Sequence, residues 1–164
     1  RDVPDFPKEG IVFKDITPLL SDSILFQTVV DTLKSRYKDK KINQVVGVEA
    51  RGFIFASALA YALGSGMVMV RKPGKLPYKT YQKTYSLEYG EDNIEIHQDA
   101  FENGQRVIII DDVLATGGTL TACIDLVKNN FQIKLIEVVF LVELDFLNGR
   151  KKLGDIPIYS MLHF

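Results

Sequence analysis

The stretch VIIIDDVLATGGTL, residues 107–120, carries a strand, a turn and the start of a helix. Val107, Ile108, Ile109 and Ile110 form a short β-branched run, the pattern of a strand buried on both faces. Asp111 and Asp112 follow at once, then Val113 to Thr116, the Gly117-Gly118 pair, Thr119 and a helical pattern. In parallel α/β sheets ligands bind at the carboxyl ends of strands, so a site is expected at this loop. Helix-start N–H groups suit a phosphate, glycines let those amides come close, and carboxylates accept hydrogen bonds from sugar hydroxyls. The loop therefore reads as a ribose-phosphate cradle. The plainer reading is that Asp, Thr and Gly only cap the helix. No Gly-x-x-x-x-Gly-Lys-Ser/Thr occurs, nor a Gly-x-Gly-x-x-Gly.

The chain has 164 residues, enough for one domain that buries roughly 70% of its unfolded surface. Twenty Lys plus Arg against 21 Asp plus Glu leave a net charge of -1, which argues against general nucleic-acid binding. Cys123 is the one cysteine, so no intrachain disulfide can form, and its place within the predicted helix points to packing. No run reaches the ~18 apolar residues of a membrane span, so no membrane partner is expected. No secretory leader pattern is visible, although the sequence starts at Arg1 and leaves open what precedes it. A reducing, cytoplasmic setting is expected.

The N-terminal stretch 1–20 holds three prolines and a glycine, which rule out one long helix. Its run Ile11-Val12-Phe13, followed by Lys14, suits either an arm packed on the core or a cap over a flat ligand. Ser21-Asp22-Ser23 offers an N-cap for an amphipathic helix over 23–38. A strand is expected over 44–48, then a charged turn at Glu49-Ala50-Arg51-Gly52 and a helix over 53–63 stopped by Gly64. Arg51 could grip phosphate oxygens with its fork of N–H donors, or simply pair with Glu49.

A strand over 67–70 leads into a basic segment, Arg71 to Thr84, with Arg71, Lys72, Lys75, Lys79 and Lys83 and no acid. Such a loop beside strand ends can attract and cover a polyanion, or be merely solvated. Residues 81–89 and 94–97 read as a hairpin around a turn at 90–93, projecting from the α/β pattern as a movable flap. Glu88 lies near its tip, His97 is given no role, and His163 makes no metal cluster with it. A helix over 118–129, a buried strand over 135–142, a short helical or turn segment over 145–153 and a last strand over 156–162 complete the chain. The fold class is α/β: an open, mostly parallel five-stranded sheet flanked by helices. Segment 1–20 forms an N-terminal arm or hood, and 71–98 forms a basic loop and hairpin insertion within a single domain, 1–164.

Six ordered stretches carry a resemblance: PDFPKEGIVFKDITPLL (4–20), VVGVEARGFIFASALAYALG (45–64), VRKPGKLP (70–77), YSLEYG (85–90), VIIIDDVLATGGTL (107–120) and VVFLVELDFLNGRKKL (138–153). Together they resemble the adenine phosphoribosyltransferases, a branch of the type I phosphoribosyltransferase family. The resemblance implies purine salvage: adenine and 5-phosphoribosyl 1-pyrophosphate give AMP and pyrophosphate, with Mg²⁺, in a homodimer. By match, Asp111 and Asp112 hold the ribose hydroxyls, with Mg²⁺ nearby on substrate and waters and no direct side-chain ligand. Ala115, Thr116, Gly117, Gly118 and Thr119 cradle the 5′-phosphate. Arg51 contacts pyrophosphate and counts with Glu88 as catalytic; Arg71, Lys72 and Lys75 add charge there. Val12 and Lys14 read adenine through main-chain groups, Phe13 and Val113 sandwich it, Glu88 handles its imidazole proton, and Tyr89 also meets substrate.

Three departures stand out. Ala50 sits where the family often has Ser, Lys14 where it often has Arg, and 78–83 is less family-like. Two rival readings remain. One is a non-catalytic regulator that senses phosphoribosyl pyrophosphate, although the chain lacks a basic face or added DNA-binding module. The other is a phosphoribosyltransferase for another purine base.

Overall fold

The computed structural model describes residues 1–86 and 90–164. In chain order its elements are β1 (Asp2–Pro4), β2 (Val12–Lys14), α1 (Thr17–Ser21), α2 (Ser23–Tyr37), β3 (Gln44–Val48), α3 (Gly52–Leu63) and β4 (Gly66–Val70). Then come β5 (Thr80–Ser86), β6 (Glu91–His97), β7 (Arg106–Leu114), α4 (Gly118–Asn130), β8 (Lys134–Glu143), two 3₁₀ turns (Asp145–Leu147 and Gly149–Leu153) and β9 (Ile158–His163). Five strands form one parallel sheet in the order β4-β3-β7-β8-β9. The expected α/β class and sheet are therefore present.

The apolar run of β7 sits at the centre of that sheet, where strands are covered on both sides. Its side chains alternate between two cores. Val107 and Ile109 join Val46, Leu120 and Cys123 beneath α4. Ile108 and Ile110 join Leu33, Phe55 and Leu59 beneath α2 and α3. All four are at most 1% exposed, and burying each contributes about 1.5–3 kcal/mol. Cys123 is fully buried, as its packing role requires, and burial pushes its thiol up and away from reactivity.

Helix ends follow local chemistry. The Asp22 carboxylate accepts from the N–H groups of Ile24 (2.9 Å) and Leu25 (3.0 Å) and so starts α2. Gly64, at φ 67°, ends α3 in the left-handed conformation that glycine adopts without strain.

Several boundaries differ from the sequence expectation. The organising strand runs on through Asp111 and Asp112 to Leu114, because its pairing with β8 continues to Leu114–Glu143. The acidic pair thus sits within the strand end, not after it. Residues 91–93 belong to β6 and not to a turn, since pairing with β5 extends to Ser86–Glu91. The last strand starts at Ile158. Within segment 1–20, β1 and β2 pair in antiparallel fashion, Asp2 to Lys14, ahead of a short helix.

The hairpin lies outside the main sheet, as expected, but its base is packed down. Ile94 and Ile96 are 2% and 0% exposed in the core under α4, and Tyr81 stacks edge-on against Phe131 at 5.5 Å. No helix among the described residues is long and apolar enough to cross a membrane.

Candidate functional site

Numbered along the chain, the sheet strands lie in the order second, first, third, fourth, fifth. The chain therefore leaves the sheet in opposite directions after β3 and after β7, and a crevice opens between their carboxyl ends. A cavity of about 370 Å³ lies there. It is lined by the Glu49-Ala50-Arg51 turn after β3, by Asp111 and Asp112 of β7, by Thr119 of α4 and by Lys72. Two turns more than fifty residues apart in sequence thus share one polar pocket.

Close backbone approach builds it. A Cβ on Gly52 would fall 2.8 Å from the Ile110 carbonyl oxygen and 3.0 Å from Asp111 Oδ1, so only glycine lets the start of α3 lie on the end of β7. Gly117, at φ 78°, turns the chain into α4 and packs on the second 3₁₀ turn, where a Cβ would meet the Gly149 oxygen at 2.7 Å. Gly149 answers from the other side, since its own Cβ would meet the Ala115 oxygen at 2.1 Å. Arg150 holds this buttress in place with two hydrogen bonds to Glu143, of 2.9 and 2.5 Å. The N–H groups of Gly118 and Thr119, in the first turn of α4, have no partner within the helix and are available to an anion.

The electrostatics are unusual for two adjacent acids. Burial pushes the Asp111 carboxyl well above the ordinary carboxylate value, and the neighbouring Asp112 charge adds to it. Asp112, 3% exposed, is also raised by burial, with the Arg51 charge pulling the other way. Arg51 Nε lies 2.7 Å from Asp112 Oδ2 at an angle unsuited to a hydrogen bond, so this buried oxygen accepts none. Arg51 also faces the Phe13 ring at 5.0 Å. Phe13 in turn meets Phe6 edge-on at 5.1 Å. Arg51 thus pairs with Asp112 and not with Glu49.

Glu49 is taken by the basic turn instead. It accepts from Arg71 Nη2 (3.2 Å), Lys75 Nζ (2.6 Å) and the Lys72 N–H (2.8 Å). Burial would raise this carboxyl, but the hydrogen bonds from Lys75, Lys72 and Arg71 hold it at about 2. The Lys72 ammonium pairs with Asp92 and lies 3.3 Å from the Tyr85 hydroxyl. Thr119 Oγ1 lies 3.3 Å from the same hydroxyl, which ties the hairpin to the start of α4.

Of the residues expected at a site, the structure brings Arg51, Lys72, Asp111, Asp112 and Thr119 to one cavity. Phe13 reaches it through Arg51, whereas Arg71 and Lys75 are held beside it by Glu49. Ala115, Thr116, Gly117 and Gly118 form the adjoining loop. Val113 packs against the core face under α2 and α3. Val12 is 49% exposed on β2, and Lys14 pairs with Asp2 at 2.7 Å and covers the Phe164 ring at 4.3 Å. Glu88 and Tyr89 lie outside the described residues. The sequence reading gave Glu49 only as a possible partner of Arg51, and gave Tyr85 and Gly149 no role. Asn148-Gly149 carries a turn signal, but nothing local marks the other two.

A family model for the phosphoribosyl transferase domain matches residues 19–160. Adenine phosphoribosyltransferase of Geobacter metallireducens is 60% identical over 164 residues, all of this chain and 95% of that protein. The crystal structure of adenine phosphoribosyltransferase from Thermoanaerobacter pseudethanolicus superposes with a TM-score of 0.95 at 50% identity, covering 100% of this chain and 95% of the other. The Saccharomyces cerevisiae enzyme, solved with adenine and an imino-altritol bisphosphate, gives 0.91 at 44% identity, over 98% and 92%. A crevice at the strand-order reversal, an acidic strand end and a glycine turn into a helix agree with these matches, and the chain belongs to the phosphoribosyltransferase family, within its adenine phosphoribosyltransferases.

Proposed function

We propose that this protein joins adenine to 5-phosphoribosyl 1-pyrophosphate, giving AMP and pyrophosphate with the help of Mg²⁺. The observation that carries the reading is the convergence of the acidic pair, the start of α4 and Arg51 on one cavity. The yeast relative, solved with adenine and a sugar-like bisphosphate, supports this choice of ligands. In this reading Asp111 and Asp112 accept from the ribose hydroxyls, and the amides and hydroxyls of Ala115 to Thr119 take the 5′-phosphate. Arg51, Arg71, Lys72 and Lys75 face the pyrophosphate. Phe13 and Val113 enclose the adenine ring, and the main chain of Val12 and Lys14 reads its edge.

The sugar carbon exchanges its bond to the pyrophosphate oxygen for a bond to an adenine ring nitrogen. Positive charge grows on the sugar as it does so, and negative charge grows on the departing pyrophosphate, which the basic groups stabilise. Glu88 takes the proton that adenine's imidazole ring gives up, and Tyr89 also meets substrate in this reading. The donor set suits Mg²⁺, which takes hard oxygen ligands and keeps several waters. Asp111 and Asp112 offer carboxylate oxygens on a polar cavity, one of them without a hydrogen bond, which would accept from the waters of an ion held by the substrate and not ligate it directly. When bound near them, Mg²⁺ supplies charge neutralisation to the pyrophosphate.

The hood and the hairpin flap exclude water that would waste the substrate. A homodimer is part of this reading. Ile54 and Tyr61, seven residues apart on one face of α3, are 37% and 91% exposed, and a second copy would cover them. We place the protein in the cytoplasm on its single, buried, unpaired cysteine.

Incubation with 5-phosphoribosyl 1-pyrophosphate, Mg²⁺ and each purine base in turn tests the reading. AMP is expected with adenine. No product with any base would favour a sensing regulator, and product with guanine but not adenine would favour another purine specificity. Glu88→Ala should lower kcat by on the order of 10²- to 10⁴-fold while the ribose substrate still binds.

A further inference from the structure

A carboxylate on the wall of a pocket built for a polyanion repels its ligand unless it does something else there. Glu49 is such a group. It lines the cavity with Arg51, Asp111 and Asp112, its side chain is 11% exposed, and it makes none of its contacts with Arg51. Its two oxygens face the turn Arg71–Lys75. Oε1 accepts from Arg71 Nη2 at 3.2 Å and Lys75 Nζ at 2.6 Å. Oε2 accepts from the Lys72 N–H at 2.8 Å and lies 3.4 Å from Arg71 Nε. Arg71 closes the turn on itself through the Lys75 carbonyl at 3.2 Å. From the far side Glu95 of the hairpin clamps the same turn: the Arg71 and Glu95 main chains exchange hydrogen bonds of 2.9 and 2.7 Å, and Glu95 Oε2 accepts from the Gly74 N–H at 3.1 Å.

We infer that Glu49 is a positioning residue, which fixes the basic turn Arg71–Lys75 so that Lys72 projects into the pocket and Arg71 and Lys75 stand at its edge, ready for the pyrophosphate group. The inference rests on the function proposed above. Long basic side chains lose rotamer freedom when they bind, and a carboxylate that orders them beforehand removes part of that loss. It also keeps the like charges of Arg71 and Lys75 together while the pocket is empty, as Asp92 does for the Lys72 ammonium. Without it the turn keeps its contacts with the hairpin, at Glu95 and Asp92, but loses those with the strand end after β3.

The test is Glu49→Gln, which keeps the shape and turns one acceptor into a donor facing cations. Its KM for 5-phosphoribosyl 1-pyrophosphate should rise about tenfold with kcat within about threefold of wild type, the split that marks lost uniform binding. The dissociation constant of inorganic pyrophosphate, measured by calorimetry, should rise by the same factor. Glu49→Asp, which keeps the charge but draws it back by one methylene, should show about a threefold rise. Unchanged or tighter pyrophosphate binding in Glu49→Gln overturns the inference, since the carboxylate would then be only a repulsive neighbour. Should Glu49→Gln fail to fold, unchanged binding in Glu49→Asp overturns it equally. Wild-type protein that binds pyrophosphate but makes no AMP would defeat the transferase reading alone, and wild-type protein that binds no pyrophosphate would defeat both.

Discussion

Glu137 and Asp112 are both buried acids facing an arginine, yet the two regions hold them in opposite ways. Glu137, on β8, takes the Arg36 guanidinium in two parallel hydrogen bonds of 2.7 Å and a third from the Tyr37 hydroxyl. Burial would raise it, but the bonds from Arg36 and Tyr37 hold it below the ordinary value. Glu143, bridged by Arg150 and by Ser160 at 2.5 Å, is built the same way. Asp112 has one charge contact with Arg51, an oxygen without a hydrogen bond, and a carboxyl raised by burial. A buried ion pair whose every oxygen is satisfied locks two elements together, here α2 to the sheet. A buried acid left short of donors, on the wall of a cavity, keeps acceptor capacity that the proposed function assigns to the hydroxyls of a ligand.

Four measurements bear on this contrast, and the largest effect belongs to the satisfied pair. Glu137→Ala leaves Arg36 without its partner and should destabilise the fold by about 3 kcal/mol, at the low end for a buried pair because Arg36 is partly exposed. Urea unfolding would show it, with KM unaltered; a loss of substrate affinity at equal stability would break the distinction. Tyr37→Phe removes one hydrogen bond to a charged group and should cost about 2 kcal/mol in the same experiment. Asp112→Asn should act in the reverse sense. It should raise KM for the ribose substrate about tenfold by removing a charged acceptor, with a melting temperature at or above wild type. A fall in stability as large as that of Glu137→Ala would sink the reading of Asp112 as a waiting acceptor.

The smallest effect is a pH dependence. Because the folded Asp111 value is raised, its ionisation costs stability as pH rises from the ordinary 3.8 through the raised value. Asp111→Asn should therefore be a few degrees more stable than wild type at neutral pH, and the gap should close as pH falls towards about 4. Glu137, being lowered, stabilises above its ordinary 4.5 and loses that contribution as pH falls below it, so the Glu137→Ala gap has the opposite sign at neutral pH. Melting curves against pH for the two variants would separate them.

The local pieces could be read along the chain, because periodicity and capping are short-range physics. Val107 to Ile110 could be read as a twice-covered strand, Asp22 as the cap of α2 and Gly64 as the stop of α3. That Asp111, Asp112 and Thr119 would share one strand-end cavity was legible for the same reason, since strand, acids and glycine turn are contiguous. The remaining contacts depend on long-range packing. Strand order placed β3 beside β7, which is what brings Arg51 within 2.7 Å of Asp112 instead of leaving it with Glu49. It gave Glu49 to the basic turn, the packed base to the hairpin, and Arg36 to a carboxylate 101 residues away. Each of those contacts is a choice among many cations and acids of similar local appearance, and it is settled by which backbones pair in parallel.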